Sequence, residues 1–129
     1  MLRIAINGYG RIGRAVVRAL FERGLQDRVQ VVAINDLSDH KTLVHLTRFD
    51  STFGRFPEPV ELQGESMLVR GQAIRLLAER DATKLPWKEL GVDVVLECTG
   101  KFKKRALIEQ HLQAAKGVRK RHIDAHGVF

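Results

Sequence analysis

The sequence of 129 residues contains one cysteine, few aromatic residues and no long hydrophobic run. Its single cysteine, Cys98, excludes an internal disulfide and is typical of a protein in a reducing compartment. No apolar stretch approaches the length of a membrane span, and the first residues lack the apolar core of a signal peptide. The length fits one domain, and repeats and low-complexity segments are absent. Together with the single cysteine and the lack of a long apolar run, this leads us to expect a single-domain cytoplasmic protein with no membrane partner.

Most of the chain also lacks an excess of positive charge. Residues 1–100 carry 14 Lys+Arg against 13 Asp+Glu, whereas residues 101–129 carry 8 against 2. The formal net charge of +7 therefore belongs mainly to the last segment. Nucleic-acid binding through Lys103–Arg105 and Arg119–Arg121 is disfavoured, because no binding motif is recognised and only Phe102 lies beside the first cluster to stack on a base.

The apolar pattern predicts alternating strands and helices. Leu2–Ile6, Val29–Ile34 and Val92–Cys98 are typical of strands buried on both faces. Helices are predicted from Arg11 to a stop at Gly24, after a cap at Asp39, and over 103–115. Shorter strands are predicted at 60–62, 67–69 and 74–77, a loop around 51–59, and a helical turn at 86–89. This order indicates an α/β fold of the doubly wound, Rossmann type, with a mostly parallel sheet and helices on both faces.

Three glycines between the first strand and the first helix form the pattern Gly8-x-Gly10-x-x-Gly13. Gly8 allows a tight turn, Gly10 lets a pyrophosphate approach bare backbone, and Gly13 permits close packing of helix on strand. The unpaired N–H groups at the helix start would then face the phosphates. The alternative is that these glycines only shape a loop, but the strand–turn–helix context favours a dinucleotide site.

Asp36 stands 23 residues after Gly13, at the end of the second predicted strand. Its carboxylate can accept hydrogen bonds from both hydroxyls of an adenosine ribose, and it would repel a 2′-phosphate. No basic residue follows directly, so NAD is favoured over NADP as the cofactor. A carboxylate that only caps the following turn is the alternative.

The run Asn7-Gly8-Tyr9-Gly10-Arg11-Ile12-Gly13-Arg14 closely resembles the phosphorylating glyceraldehyde-3-phosphate dehydrogenases, and it is similar to the erythrose-4-phosphate dehydrogenases. The resemblance extends over residues 1 to about 116, and it includes the segments 33–37, 49–56, 78–81, 87–93 and 97–102. One departure is Phe53, where the family usually has histidine in a loop near subunit contacts. We therefore divide the chain into an NAD-binding domain, 1–116, and an atypical basic tail, 117–129.

The resemblance implies which residues contact the cofactor. The backbone at Arg11 and Ile12 would meet the pyrophosphate, Asp36 the adenosine ribose, and Arg80 the adenine, although Arg80 taken alone reads as a surface ion pair with Glu79 or Asp81. Thr99 and Gly100 would line the cleft. The complete expected cofactor site is Asn7, Gly8, Gly10, Arg11, Ile12, Gly13, Asn35, Asp36, Arg80, Thr99 and Gly100.

The family's catalytic residues are a cysteine in a Ser-Cys-Thr-Thr-Asn run and a distant histidine that activates it. Neither motif occurs in the 129 residues, and Cys98 instead matches the family's Glu-Cys-Thr-Gly segment, which indicates a structural thiol. We expect an NAD-binding domain that is inactive alone and that meets a sugar phosphate only together with a catalytic half. A non-enzymatic nucleotide-binding module, whose basic tail recruits an acidic partner, is the alternative.

The tail from Gly117 reads Gly-Val-Arg-Lys-Arg-His-Ile-Asp-Ala-His-Gly-Val-Phe and matches no family segment that we recognise. His122 and His126 have a spacing suited to metal binding on a helix, but no further ligand is evident, so no metal site is predicted. Arg119–His122 would be costly to bury in a parallel strand. We therefore expect a loosely held tail that leaves the preceding strand as a sheet edge, open to pairing with another copy of the chain.

Overall fold

The structure is a computed structural model that describes residues 2–50, residues 54–98 and the backbone of residues 122–124. Two helices are present in these parts of the chain, α1 (Arg11–Glu22) and α2 (His40–Arg48), together with a 3-10 turn at Ala82–Lys84. The strands are β1 (Leu2–Asn7), β2 (Val29–Asn35), β3 (Phe49–Asp50), β4 (Gly54–Arg55), β5 (Val60–Gln63), β6 (Ser66–Val69), β7 (Gln72–Leu77), β8 (Val94–Glu97) and β9 (His122–Asp124).

Seven of the described strands form one sheet in the order β5-β6-β7-β2-β1-β8-β9. The neighbours from β7 to β9 pair in parallel, whereas β5, β6 and β7 form an antiparallel meander at one edge. If the parallel strands are numbered along the chain, their order is 3-2-1-4-5, which is that of a doubly wound dinucleotide-binding sheet. The predicted α/β, Rossmann-type fold class is confirmed.

The carboxyl ends of the central strands meet at one edge of this sheet. In the pairing register Asn7 lies opposite both Asn35 and Glu97, and Asn35 lies opposite Leu77. The strand order reverses at β1, between β2 and β8. Ligands of such sheets bind in the crevice beyond the carboxyl ends at this point of reversal.

Apolar side chains pack on both faces of the sheet, because successive residues of a strand point to opposite sides. Ile4 and Ile6 of β1 belong to a large buried cluster that includes Val17 and Phe21 of α1. Ala5, between them, belongs to a second cluster built around Trp87, which is fully buried. A double-sided core of this kind explains why β1 and β2 read as continuous apolar runs.

The ends of both helices agree with the sequence signals. Helix α1 ends before Gly24, whose φ of +65° lies in the left-handed region that favours glycine. Helix α2 is capped by Asp39, whose Oδ1 accepts a hydrogen bond of 2.8 Å from the Thr42 N–H. Leu43 and Val44 are buried as the periodicity predicts.

Two local predictions were incomplete. The expected loop at 51–59 is preceded by β3, which pairs with β4 in a short antiparallel ladder, Phe49 with Arg55. The 3-10 turn at Ala82–Lys84 was not anticipated, although a single turn does follow, closed by a 3.0 Å hydrogen bond from Leu90 N–H to Pro86 O. Phe53 and the predicted helix over 103–115 lie outside the described residues.

The prediction that the tail leaves β8 as a sheet edge was wrong. Residues His122–Asp124 form β9, which pairs in parallel with β8 in the register Val94 with His122 and Leu96 with Asp124. The objection to a strand rested on Arg119–His122, but β9 begins only at the last residue of that run. The described ladder therefore contains only one residue of that run, His122. The flanking residues 117–121 and 125–129 lie outside the described part of the chain.

Candidate functional site

The turn between β1 and α1 has the backbone geometry that its glycines predict. Gly8 has a φ of +94°, which only glycine adopts without strain, and its N–H donates to the carbonyl of Asn35 at 2.8 Å. At Gly13 an added Cβ would lie 2.7 Å from the Gly8 carbonyl oxygen and 3.1 Å from Ile6 Cγ2. Gly13 is therefore the residue that lets α1 pack closely on the end of β1.

Gly10 is the N-cap residue directly before α1, and it is exposed. An added Cβ at Gly10 would meet no atom of the described residues within 4 Å. Within that same part of the chain, no side chain caps the helix start and no acidic residue occupies its first turn. The N–H groups at Arg11, Ile12 and Gly13 thus form an uncapped helix N-terminus, which is a suitable environment for an anion.

The carboxylate of Asp36 lies against this turn. Its Oδ2 accepts a 2.7 Å hydrogen bond from the Tyr9 N–H, and its Oδ1 accepts a 2.9 Å hydrogen bond from the Ser38 N–H. The Asp36 residue is half-buried, whereas Leu37 beside it is exposed. The structure therefore brings together the glycine turn and the acid at the end of β2, although they are 23 residues apart in sequence.

The side chains of Asn7 and Asn35 form hydrogen bonds to other residues of the protein. Asn7 Nδ2 donates to Glu97 Oε2 at 2.7 Å, and Asn35 Nδ2 donates to Asn7 Oδ1 at 2.7 Å and to the Glu79 carbonyl at 3.0 Å. The Glu79 N–H returns a 2.8 Å hydrogen bond to Asn35 Oδ1. This buried chain joins the carboxyl ends of β2, β1 and β8, so both asparagines hold the floor of the crevice in place.

Arg80 is exposed at the same edge, just after Glu79. Within residues 54–98 it forms no ion pair with Glu79 or Asp81, the interpretation that its sequence neighbours alone suggest. Those carboxylates are engaged elsewhere: Glu79 Oε1 accepts from the Asp81 N–H at 3.0 Å, and Asp81 accepts from Thr83. The hydroxyl of Thr83 is the main cause of a lowered pKa at Asp81.

Cys98 is half-buried at the end of the β8 segment, and its N–H donates to the Asn7 carbonyl at 2.8 Å. Its side chain packs against the larger apolar cluster. The described residues contain no cluster of histidine, cysteine and acidic side chains suited to a metal ion. Thr99, Gly100 and His126, which the sequence analysis singled out, lie outside the described residues.

Tyr9 is a site residue that the sequence analysis missed. Tyr9 is 2% exposed, and its hydroxyl lies 2.6 Å from Thr47 Oγ1. Because the Thr47 hydroxyl donates its only proton to the Leu43 carbonyl at 2.8 Å, Tyr9 is the donor to Thr47. Burial raises the pKa of Tyr9 to about 12, so the phenol stays protonated. Thr47 shares the buried face of Leu43 and Val44 at helical spacing, which is a sequence signal that its hydroxyl is buried but does not identify its partner.

Two arginines of α1, Arg14 and Arg18, contact the backbone near Tyr9 and near the end of α2. Arg18 is 4% exposed, and its Nη2 donates to the carbonyls of Gly54 at 2.6 Å and Thr47 at 3.4 Å. Its guanidinium carbon lies 5.2 Å from the centre of the Phe56 ring. Arg14 donates from Nη1 to the Tyr9 carbonyl at 3.4 Å, and its Nε lies 3.7 Å from Asp50 Oδ2. These contacts fix the turn relative to the loop after α2.

Comparison with known families gives a match over most of the chain. Residues 2–105 match the family described as the glyceraldehyde 3-phosphate dehydrogenase, NAD binding domain. No helix in the described part of the chain is long and apolar enough to span a membrane.

Individual relatives are similar over most of the chain. A glyceraldehyde-3-phosphate dehydrogenase of Thermotoga maritima is 54% identical over 114 residues, which are 88% of this chain and 34% of that protein. The chromosomal and plasmid-encoded enzymes of Cupriavidus necator are each 48% identical over 126 residues, 98% of this chain and 37% of each relative. The chain thus spans about a third of the length of these relatives, and the Cupriavidus alignments extend beyond residue 116.

Proposed function

This chain belongs to the family of the glyceraldehyde-3-phosphate dehydrogenase NAD-binding domain, and on that premise we propose that it binds NAD at the carboxyl ends of β1 and β2. The observation that carries the proposal is the hydrogen bond of 2.7 Å between Tyr9 N–H and Asp36 Oδ2. It places a half-buried carboxylate beside the open, uncapped start of α1. This pairs an acceptor for ribose hydroxyls with donors for a pyrophosphate.

The residues present fit such a cofactor. The backbone N–H groups of Arg11 and Ile12 would hold the pyrophosphate, with Gly8, Gly10 and Gly13 keeping the turn clear of side chains. Asp36 would hold the adenosine ribose. Asn7 and Asn35 would stabilise the strand ends beside the turn through their side-chain hydrogen bonds. Arg80 would lie against the adenine, and Thr99 and Gly100 would complete the cleft. NAD, when bound, would supply the acceptor for a hydride.

For the enzyme, we propose oxidation of glyceraldehyde 3-phosphate by a polypeptide that joins these residues to a catalytic half. The names of the three relatives support this substrate over erythrose 4-phosphate. The 129 residues contain no Ser-Cys-Thr-Thr-Asn run to supply the cysteine nucleophile that the family uses. The part assigned to this chain is therefore to bind the cofactor and to orient it.

Gly10→Ala tests the proposed phosphate position. An added Cβ has open space within the protein, but it would project at the helix start where the pyrophosphate approaches. Titration calorimetry should show NAD affinity reduced by roughly tenfold or more. The thermal stability should change little, because the lower entropy of the unfolded chain offsets the loss of a preferred N-cap residue.

Adenosine is the matched control ligand, because it carries the ribose and the base without the pyrophosphate. Its affinity should be the same for the wild-type chain and Gly10→Ala. A wild-type chain that is folded but shows no heat of binding at millimolar NAD would refute the proposal. Equal NAD affinity in the variant would show that the phosphates do not approach Gly10.

A further inference from the structure

We propose that Tyr9 is a positioning residue for the ribose carboxylate: its buried phenol anchors the glycine turn to α2, and its N–H orients Asp36. This inference rests on the proposed NAD site, because it assigns the residue that gives Asp36 its orientation. It concerns a side chain in the variable position between Gly8 and Gly10, which the pattern of glycines alone leaves undefined.

All polar groups of Tyr9 that the structure describes are held by different elements. The N–H donates to Asp36 Oδ2 at 2.7 Å, and the carbonyl accepts from Arg14 Nη1 at 3.4 Å. The hydroxyl donates to Thr47 Oγ1 at 2.6 Å. A single residue therefore connects the end of β2, the first turns of α1 and the buried face of α2.

The side-chain anchor is rigid. Tyr9 is 2% exposed and belongs to the main apolar cluster, so its ring has little room to rotate. Beyond Thr47 the hydrogen-bond chain ends on the Leu43 carbonyl, one turn back within α2. A buried hydroxyl without a partner is unfavourable, so any shift of the turn away from α2 is resisted by this chain as well as by packing.

The backbone of Tyr9 connects its anchored side chain to the Asp36 carboxylate. Gly8 and Gly10 flank it, and they offer no side-chain packing of their own. Without the phenol bond, Tyr9 would keep the packing of its ring against α2 and the 3.4 Å contact of its carbonyl with Arg14, but it would lose its direct hydrogen bond to α2. The Ser38 N–H would still bind Asp36 Oδ1, but the other oxygen would depend on a less restricted donor.

The test compares ADP with 2′-deoxy-ADP in Tyr9→Phe, which keeps the ring and removes the hydroxyl. Dissociation constants come from NMR titration of the 129-residue chain. We expect the preference for ADP to fall by about threefold to tenfold, the scale of one neutral hydrogen bond. General destabilisation weakens both ligands equally and leaves the ratio unchanged.

Thr47→Ser and Thr42→Val are the controls on α2. Thr47→Ser keeps a hydroxyl for Tyr9 and should retain the wild-type ratio. Thr42→Val removes the hydroxyl that donates to Asp39 Oδ2 at 3.0 Å, so it weakens the start of α2 without touching Tyr9. It should also retain the ratio. An unchanged ratio in Tyr9→Phe, which includes an equal loss of affinity for both ligands, would overturn the inference.

Amide hydrogen exchange separates this inference from the proposed function, because it needs no ligand. The amide of residue 9 should exchange about threefold to tenfold faster in Tyr9→Phe, while amides of the β5–β6 ladder keep their wild-type rates. Failure of the wild-type chain to bind ADP and NAD would refute the cofactor site alone. Unchanged exchange at residue 9 would refute the anchoring role of the phenol.

Discussion

The Asp36 carboxylate has one task that the structure shows and a second that the proposed complex gives it. It closes the turn by accepting from Tyr9 and Ser38, and in the proposed complex it also accepts from a ribose. A carboxylate has about four lone-pair sites, so two bound N–H groups leave two sites for the ribose hydroxyls. The turn geometry and the cofactor contact therefore do not compete for the same acceptors.

Replacing Asp36 by Ala should weaken NAD binding and narrow the preference for NAD over NADP. Each hydrogen bond to a charged group contributes on the order of 1.5–3 kcal/mol net of the exchange with water, and the repulsion of a 2′-phosphate disappears as well. Calorimetry with both dinucleotides measures the ratio. Asp39→Ala is the control, since it removes a carboxylate three residues away that faces Thr42. An Asp36→Ala ratio equal to that of Asp39→Ala would show that Asp36 is not the ribose ligand.

At this scale the sequence predicts what depends on local geometry and leaves out what depends on packing. The three glycines and Asp36 follow from the requirements of a tight turn and an acid at a strand end. The Tyr9–Thr47 bond joins residues that are 38 positions apart, and it exists only because α2 packs over the turn. No short motif encodes such a contact.

Helix α2 should carry a pH-dependent part of the stability at its first residue. Hydrogen bonds from Thr42, chiefly its backbone N–H, lower the pKa of Asp39 below its value in the unfolded chain. The stabilisation is therefore fully present above the unfolded value, near pH 4, and is lost as the pH falls through the lowered folded value. Thermal unfolding should show Asp39→Ala less stable than wild type at pH 6, with a smaller difference at pH 2.

Asp39→Asn separates the cap from the charge, because asparagine is also a good N-cap residue but does not titrate. Its stability relative to Asp39→Ala should be nearly independent of pH. A difference between wild type and Asp39→Ala that stays constant down to pH 2 would contradict the assignment of the titration to this cap.

Among the elements, those with strong periodicity were predicted and those created by pairing were not. Strands β1 and β2 and helix α1 follow from apolar runs bounded by Gly8, Gly24 and Asn35. Strand β9 carries too few apolar residues to be recognised by itself, and it is defined by the open side of β8. The β3–β4 ladder is likewise two residues on each side, which is below what a pattern can indicate.

The whole chain combines a nearly neutral body with a basic last segment, 8 Lys+Arg against 2 Asp+Glu after residue 100. The proposed site lies in the neutral body, at the edge where β1, β2 and β8 end. Its donors are backbone N–H groups, and its acid is Asp36. In this proposal cofactor binding depends on the sheet and the first turn, so the same residues predict both the fold and the proposed site.

The 129-residue chain should not oxidise glyceraldehyde 3-phosphate or erythrose 4-phosphate in the presence of NAD and phosphate. The family's thiol nucleophile must be ionised by a neighbouring base, whereas Cys98 is half-buried at a strand end and packs against the apolar core. NADH absorbance measures turnover, with an intact dehydrogenase of the family as the positive control. Cys98→Ser should leave both the baseline rate and NAD affinity unchanged, because serine is close in size and the thiol has no assigned contact with the cofactor. Turnover by the wild-type chain that is abolished in Cys98→Ser would make this cysteine a nucleophile and reverse the structural assignment.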